Sequence, residues 1–287
     1  MANFRYFNAK LTSLRNMQRV TKTMKMVSAT KLRKAQEAQR LADQFYTSLQ
    51  QMALRIAGSR SLTAHPLLTA HAEIRNVLVL LITADKGLCG GFNSSLIRQT
   101  EQWILEKKGR VENLRMSCCG RQGHAYFKDK MEIRSFYEES VEKPDFSKAL
   151  TVGRDVLSVF LDDKYDEVYL AYNVYHSPLS QAPVVERILP FTFDRAKKAA
   201  ARIHYLFEPD EQQLLEIVFG KMVCNRIFFA LLQNATGEHG ARMTAMDSAT
   251  SNIDKLSDMY VLMRNRARQA SITNELVEIV SGSEALG

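Results

Sequence analysis

Two long stretches of this sequence contain neither glycine nor proline: Phe4 to Ile56 and Ala241 to Ser281. These residues most often end helices, so their absence leaves each stretch free to run as a single helix. Cysteine is scarce. Cys89, Cys118, Cys119 and Cys224 contain no C-x-x-C pair, which excludes the common zinc frameworks and reads as reduced thiols in a reducing compartment. The histidines are scattered and form no H-E-x-x-H. No apolar run reaches 18 residues, which excludes a membrane-spanning helix. The start lacks the apolar core of a secretory signal and is read as mature structure. Acidic residues are almost missing from the first forty positions, where Glu37 stands alone against ten lysines and arginines.

The two stretches carry helical patterns far beyond ordinary length. A helix of about 50 residues spans about 75–80 Å, and such lengths point to a coiled coil rather than a core helix. In the last segment Met246, Ala249, Ile253, Leu256, Tyr260, Met263, Ala267 and Ala270 follow a seven-residue repeat, the signature of a left-handed supercoil. In the first, Phe4, Phe7, Leu11 and Leu14 lead to Met17, Val20, Met24 and Val27. The step from Leu14 to Met17 is three where four is due, a slip that overwinds a coiled coil. Phe45, Leu49, Met52 and Ile56 resume the repeat. The two helices are expected to pair with each other, antiparallel.

Between them lies an α/β pattern. Asn76 to Thr83 is a continuous apolar strand of the doubly buried kind. Ala84-Asp-Lys-Gly-Leu-Cys-Gly-Gly-Phe-Asn93 forms a glycine-rich turn into a helix reaching Lys108. Strands at 114–119, 132–138, 167–175 and 184–190 alternate with helices at 121–130 and 146–161, which predicts a mostly parallel sheet covered by helices. The expected organisation is a helix over 1–57, a Rossmann-like body over 74–195 and a second helix over 210–287. That second helix is expected to break or loosen near Gly237 and Gly240. The stretch 58–72 is expected as the exit from the first helix, and 194–210 as a short basic connection.

Three readings of function follow from residues alone. The first is a non-catalytic mechanical or scaffolding part, an α/β body with a coiled-coil shaft. The second is an enzyme binding a nucleotide at the turn of Gly87, Gly90 and Gly91, where backbone N–H groups at a helix start can cradle a phosphate. The spacing G-x-x-G-G matches neither G-x-G-x-x-G nor the P-loop, so the turn is read as structural, with Asp85 and Lys86 as an exposed contact pair or merely solvated. The third is a nucleic-acid-associated coiled coil drawn by the basic first helix. From Lys10 to Arg40 no aromatic residue is interleaved for stacking, and the basic stretch carries the apolar seam itself, so no nucleic-acid partner is expected. Nothing in the sequence calls for a cofactor, a metal or a catalytic group.

Two long motifs go further. Leu14-Arg-Asn-Met-Gln-Arg-Val-Thr-Lys-Thr-Met-Lys-Met-Val-Ser-Ala-Thr-Lys-Leu-Arg-Lys-Ala-Gln36 stands near the start. Ala241-Arg-Met-Thr-Ala-Met-Asp-Ser-Ala-Thr-Ser-Asn252 and Asn265-Arg-Ala-Arg-Gln-Ala-Ser-Ile-Thr-Asn-Glu-Leu-Val-Glu-Ile-Val-Ser-Gly282 stand near the end. With the Asp85–Asn93 turn and Ser177-Pro-Leu-Ser-Gln-Ala-Pro-Val-Val185, they closely resemble the gamma subunits of F-type ATP synthases, in order and over the full length. The resemblance implies a non-catalytic rotor shaft. It would sit in a ring of three alpha and three beta subunits, beside the epsilon subunit and on the c-ring, with delta, a and b as indirect partners. The complex would lie at the cytoplasmic face of a bacterial inner membrane, with this chain peripheral. It further implies ring contacts at Arg242, Arg268, Gln269, Thr273, Met24 and Lys25, with Lys22 beside them. Leu276, Val277, Ile279 and Val280 would form an apolar bearing tip. The redox insertion of chloroplast forms is missing from this sequence.

Overall fold

The computed structural model describes residues 2–57, 66–71, 73–138, 140–191 and 211–284. The expected exit from the first helix at 58–72 lies largely outside them, and the basic connection at 194–210 does so entirely. Among the described residues ten elements follow one another: α1 (Ala2–Ala57), β1 (Asn76–Ile82), α2 (Phe92–Lys108), β2 (Asn113–Cys119), α3 (Arg121–Phe127), β3 (Ile133–Tyr137), α4 (Phe146–Leu161), β4 (Glu167–Ser177), β5 (Ser180–Leu189) and α5 (Glu211–Glu284). The described residues form two compact units. One joins the chain up to Ser28 with the chain from Met243 onward; the other is Ala29–Arg242.

In the first unit, α1 and α5 pair antiparallel. Phe7 lies against Tyr260 with ring centroids 6.2 Å apart, Gln18 donates to Asp254, Thr250 Oγ1 donates to Thr21 Oγ1 at 2.8 Å, and Lys25 Nζ lies 2.5 Å from Asp247. Partner numbers fall on α5 as they rise on α1. The seam differs from the apolar residues that announce it. On α1 the covered positions run Phe4, Phe7, Leu11, Leu14, Gln18, Thr21, Lys25, Ser28, in unbroken alternating steps of three and four. There is no slip after Leu14. Met17, Val20 and Val27, expected in the seam, stand about half exposed. On α5 the covered positions are Met246, Thr250, Ile253, Ser257, Tyr260, Arg264, Ala267 and Ser271. Leu256, Met263 and Ala270 point away, and Ala249 is only partly covered. A regular supercoil needs constant spacing, and a slip would overwind it. The helices therefore keep their geometry, place paired polar groups along the seam and turn apolar residues out. Polar seam residues specify register while weakening the pair.

The second unit holds a five-stranded sheet in the order β3-β2-β1-β4-β5. β1 runs parallel to β2 and β4, and β2 parallel to β3, while β5 returns antiparallel along β4. β1 lies at the centre and its side chains alternate between two cores. Leu78, Leu80 and Ile82 face α4, α5 and the Leu49–Ala53 part of α1. Val77, Val79 and Leu81 face Leu96 of α2 and Phe127 of α3. The body is thus wider than 74–195, because one face of the sheet is closed by helix residues beyond both of those limits. Phe219, Met222, Ile227 and Leu231 of α5 are essentially inaccessible, and burying each stabilises by about 1.5–3 kcal/mol.

α5 does not break at Gly237 and Gly240; it is continuous over Glu211–Glu284. A glycine costs a helix about 1 kcal/mol relative to alanine. Here tertiary contact offsets it. A Cβ on Gly237 would lie 2.7 Å from the Phe92 ring, and one on Gly240 3.2 Å from Pro178 Cα. The glycines mark where α5 presses on the body.

Candidate functional site

The glycine-rich turn joins β1 to α2 at the C-terminal end of the parallel strands. In open α/β sheets that end is where ligands bind, at the point where strand order reverses. That point lies here beside β1, with β2 on one side and β4 on the other.

The turn is held from several directions. Ala84 N donates to Asn93 Oδ1 at 2.9 Å, Arg121 N donates to Asp85 Oδ1 at 3.0 Å, and Gly123 N donates to Thr83 Oγ1 at 2.9 Å. Lys86 pairs with Glu142 across the surface. Gly90 has φ +59°, a conformation that glycine adopts without strain. Leu88 has φ +62° and is 64% exposed. A left-handed bulky residue persists only where its surroundings over-determine it.

Underneath, α5 fills the crevice. Ala84, Cys89 and Phe92 pack with Ala241. Asn173 Nδ2 donates to Phe92 O at 3.2 Å, and Tyr175 N donates to Gln233 Oε1 at 2.8 Å. Arg242 donates from Nη2 to Gly87 O at 2.9 Å and to Lys86 O at 3.3 Å, and from Nε to Gly87 O at 3.3 Å. The same guanidinium pairs with Glu238 at 2.7 Å, both side chains being at most a tenth exposed. Burial pushes the Glu238 carboxyl up, against the pull of Arg242. Burial, then Arg242 and Lys31, push His239 down to about 4. Two carbonyls of the turn, those of Lys86 and Gly87, are thus taken by an arginine, and Ala241 of α5 packs against Ala84, Cys89 and Phe92. Among the described residues no group of three or more His, Cys, Asp and Glu is placed to hold a metal.

This arrangement relocates Arg242. Expected as an outward contact, it is buried in the second unit and satisfied by the turn. The other candidates belong to the first unit. Arg268, Gln269 and Thr273 are exposed on α5, with Thr273 Oγ1 donating to Gln269 O at 3.0 Å. Leu276, Val277, Ile279 and Val280 are all more than half exposed. Met24 is half-buried, and Lys25 lies in the seam against Asp247. Glu238 was not singled out from the sequence, although its i,i+4 spacing from Arg242 is a recognisable helical pair.

A family model described as ATP synthase matches residues 3–286. The ATP synthase gamma chain of Anaeromyxobacter sp. (strain Fw109-5) is 38% identical over 100% of both chains. That of Geobacter sp. (strain M21) is 36% identical over 100% of this chain and 99% of its own. The chain belongs to the ATP synthase gamma family. It is therefore a non-catalytic, central-stalk subunit. The solved mitochondrial ATP synthase of Euglena gracilis, an OSCP/F1/c-ring assembly, contains a chain of the same fold. The TM-score is 0.69 at 18% identity, covering 99% of this chain and 95% of that one. A central stalk/c-ring structure of the Tetrahymena thermophila enzyme matches with TM-score 0.61 at 25% identity, over 80% of this gamma chain and 99% of its own. Among the described residues of this gamma chain, no helix is long and apolar enough to cross a membrane.

Proposed function

We propose that this chain turns with an ion-driven c-ring and couples that rotation to ATP synthesis on a ring of three alpha and three beta subunits, with epsilon beside it. Delta, a and b are indirect partners, and the complex works at the cytoplasmic face of a bacterial plasma membrane. The reading rests on one observation above all. The paired helices of the first unit keep polar groups in their seam and turn Met17, Val20, Val27, Leu256, Met259, Leu262 and Met263 outward. A coiled coil that exposes its large apolar residues needs a sleeve. Leu276, Val277, Ile279 and Val280 serve as the bearing tip, where apolar contact offers few directional bonds to break on turning.

Arg268, Gln269 and Thr273 provide polar contacts below that tip, joined by Met24 and Lys25. Chemistry stays in the catalytic subunits. The shaft acts by differential binding, each catalytic subunit being biased toward the conformation that best fits the face it meets. Different faces of α1 and α5 then impose different states on three otherwise identical subunits.

Affinity purification of the full chain from its host in moderate salt, with ATPase assayed on the eluate, tests this. Nucleotide-binding subunits in excess over the chain, with ATP hydrolysis by the complex and none by the chain alone, are the expected result. A chain that elutes without such subunits refutes the proposal. Removal of residues 276–287 should weaken torque and assembly while the sheet of β1–β5 stays folded.

A further inference from the structure

The strongest unabsorbed feature is the buried contact between Arg242 and the turn. Gly87 lies 155 residues in sequence from the arginine that holds it, so this contact is a tertiary fastening and not local geometry. We propose that Arg242 is a positioning residue that locks the Gly87–Leu88 turn to α5, so that load on the α/β body passes into the helix without slip. The proposal rests on the rotor reading above and adds to it the place where body and shaft helix are fastened.

Three features carry it. First, the guanidinium forks over two successive carbonyls, those of Lys86 and Gly87. A lysine ammonium is a point donor and lacks that planar fork. Second, the fastening is dry and electrically balanced. Glu238, one turn back on the same helix, neutralises the guanidinium at 2.7 Å, and charge-assisted bonds out of water are the strong ones. Third, the turn is under strain where it is fastened. Leu88 follows the gripped carbonyl directly and sits at φ +62° with its side chain in solvent. Such a residue relaxes unless its neighbours hold it. The Lys86–Glu142 pair grips the other side, but both partners are largely exposed, and exposed pairs hold weakly. Arg242 is the firm half of the grip. Gly237 and Gly240 complete it, since any side chain there would push α5 away from Phe92 and Pro178.

The test compares Arg242→Ala, Arg242→Lys and Glu238→Gln in the full chain. Amide hydrogen exchange is read over residues 86–91 and, as internal reference, over β1 and β4. Each variant is also assembled with its partner subunits in ion-tight vesicles, where coupling ions (protons or sodium) pumped per ATP hydrolysed are measured. In Arg242→Ala the turn amides should exchange about tenfold faster or more, because a charged hydrogen-bond grip has been lost. The β1 and β4 amides should stay at wild-type rates and the pumping ratio should fall. Arg242→Lys should lie between the two. Turn amides that keep wild-type protection in a folded Arg242→Ala chain overturn the proposal. So does a loosened turn with an undiminished pumping ratio. Should Arg242→Ala lose the whole sheet, the two milder variants decide by the same readouts, and wild-type values in both refute the lock. A wild-type chain that forms no ATP-hydrolysing complex defeats the rotor reading instead, and the exchange measurement still judges the grip.

Discussion

The same substitution at two points of α5 should change stability in opposite directions. Gly220 and Gly237 both lie inside this helix. Replacing a helix-interior glycine by alanine gains about 1 kcal/mol when the methyl group fits. At Gly220 the nearest atom to a new Cβ is Leu157 Cδ1 at 3.9 Å, an ordinary contact. Gly220→Ala should therefore stabilise by about 0.5–1 kcal/mol. At Gly237 the new Cβ would meet Phe92 Cε2 at 2.7 Å, Phe92 Cζ at 3.3 Å and Gln181 Cγ at 3.4 Å. Phe92 cannot easily give way, being 4% exposed and bonded through its carbonyl to Asn173. Overpacking of this kind costs about 1–3 kcal/mol, which exceeds the helical gain. Gly237→Ala should be destabilised by up to about 2 kcal/mol. Urea unfolding of the full chain reads both. The single tryptophan, Trp103, packs against Tyr169 within the body, so its fluorescence reports the unit in question. Adding Phe92→Leu to Gly237→Ala should recover part of the loss, because the two sites touch. Shifts of the same sign at both glycines, or no recovery with Phe92→Leu, would refute the claim that close approach and not helix propensity governs this helix.

The unbroken seam predicts that Leu14→Ala costs about 2–5 kcal/mol, whereas Met17→Ala changes the stability of the free chain by no more than about 0.5 kcal/mol. Helicity during thermal unfolding distinguishes them, and equal losses would restore the slip after Leu14. Burial raises the thiols of Cys118 and Cys119 to about 12, and the thiolate is the reactive form. Both should resist iodoacetamide at pH 8 until urea is added, as read by mass spectrometry; rapid labelling of the folded chain would contradict their placement. His239 is held at about 4 against its ordinary 6.5, so below pH 6.5 the unfolded chain takes up a proton that the folded chain refuses. Stability from this residue is complete above pH 6.5 and falls by up to about 3 kcal/mol as pH drops through 4. The raised carboxyl of Glu238 acts in the opposite sense, so the comparison is with His239→Gln, whose stability should fall less over that range. Parallel curves would remove His239 from the account.

Much of the body was legible in the sequence because its signals are local. The apolar run of β1, the Gly120 that ends β2 and the apolar face of α4 each announce an element, and the alternation of strands with helices implies a parallel sheet. The order of the strands was not legible, nor was the antiparallel return of β5, since both depend on pairings between distant residues. The seam of the first unit misled in an instructive way. Met17, Val20 and Val27 have the right chemistry for a core and Gln18, Thr21 and Lys25 do not, yet the second set is the more covered. Hydrophobic periodicity measures what a chain wants covered, and for this chain part of the cover is proposed to come from other subunits. Arg242 misled in the reverse direction. The family resemblance implied a ring contact there, and only the long-range fold brings the carbonyls of Lys86 and Gly87 to it.

That α5 closes the sheet has a consequence for how the protein is made. Synthesis runs from α1 through the sheet to α5, so the element that completes the main core leaves the ribosome last. At about 5–20 residues per second, roughly 3–10 s separate Leu189 from Arg242. During that interval the β1 face of Leu78, Leu80 and Ile82 lacks Phe219, Met222, Ile227 and Leu231, and the Leu88 turn lacks its arginine. The nascent body is therefore an open clasp, exposed to proteases and chaperones until its own distal helix arrives. Truncation before Phe219 should leave it in that condition.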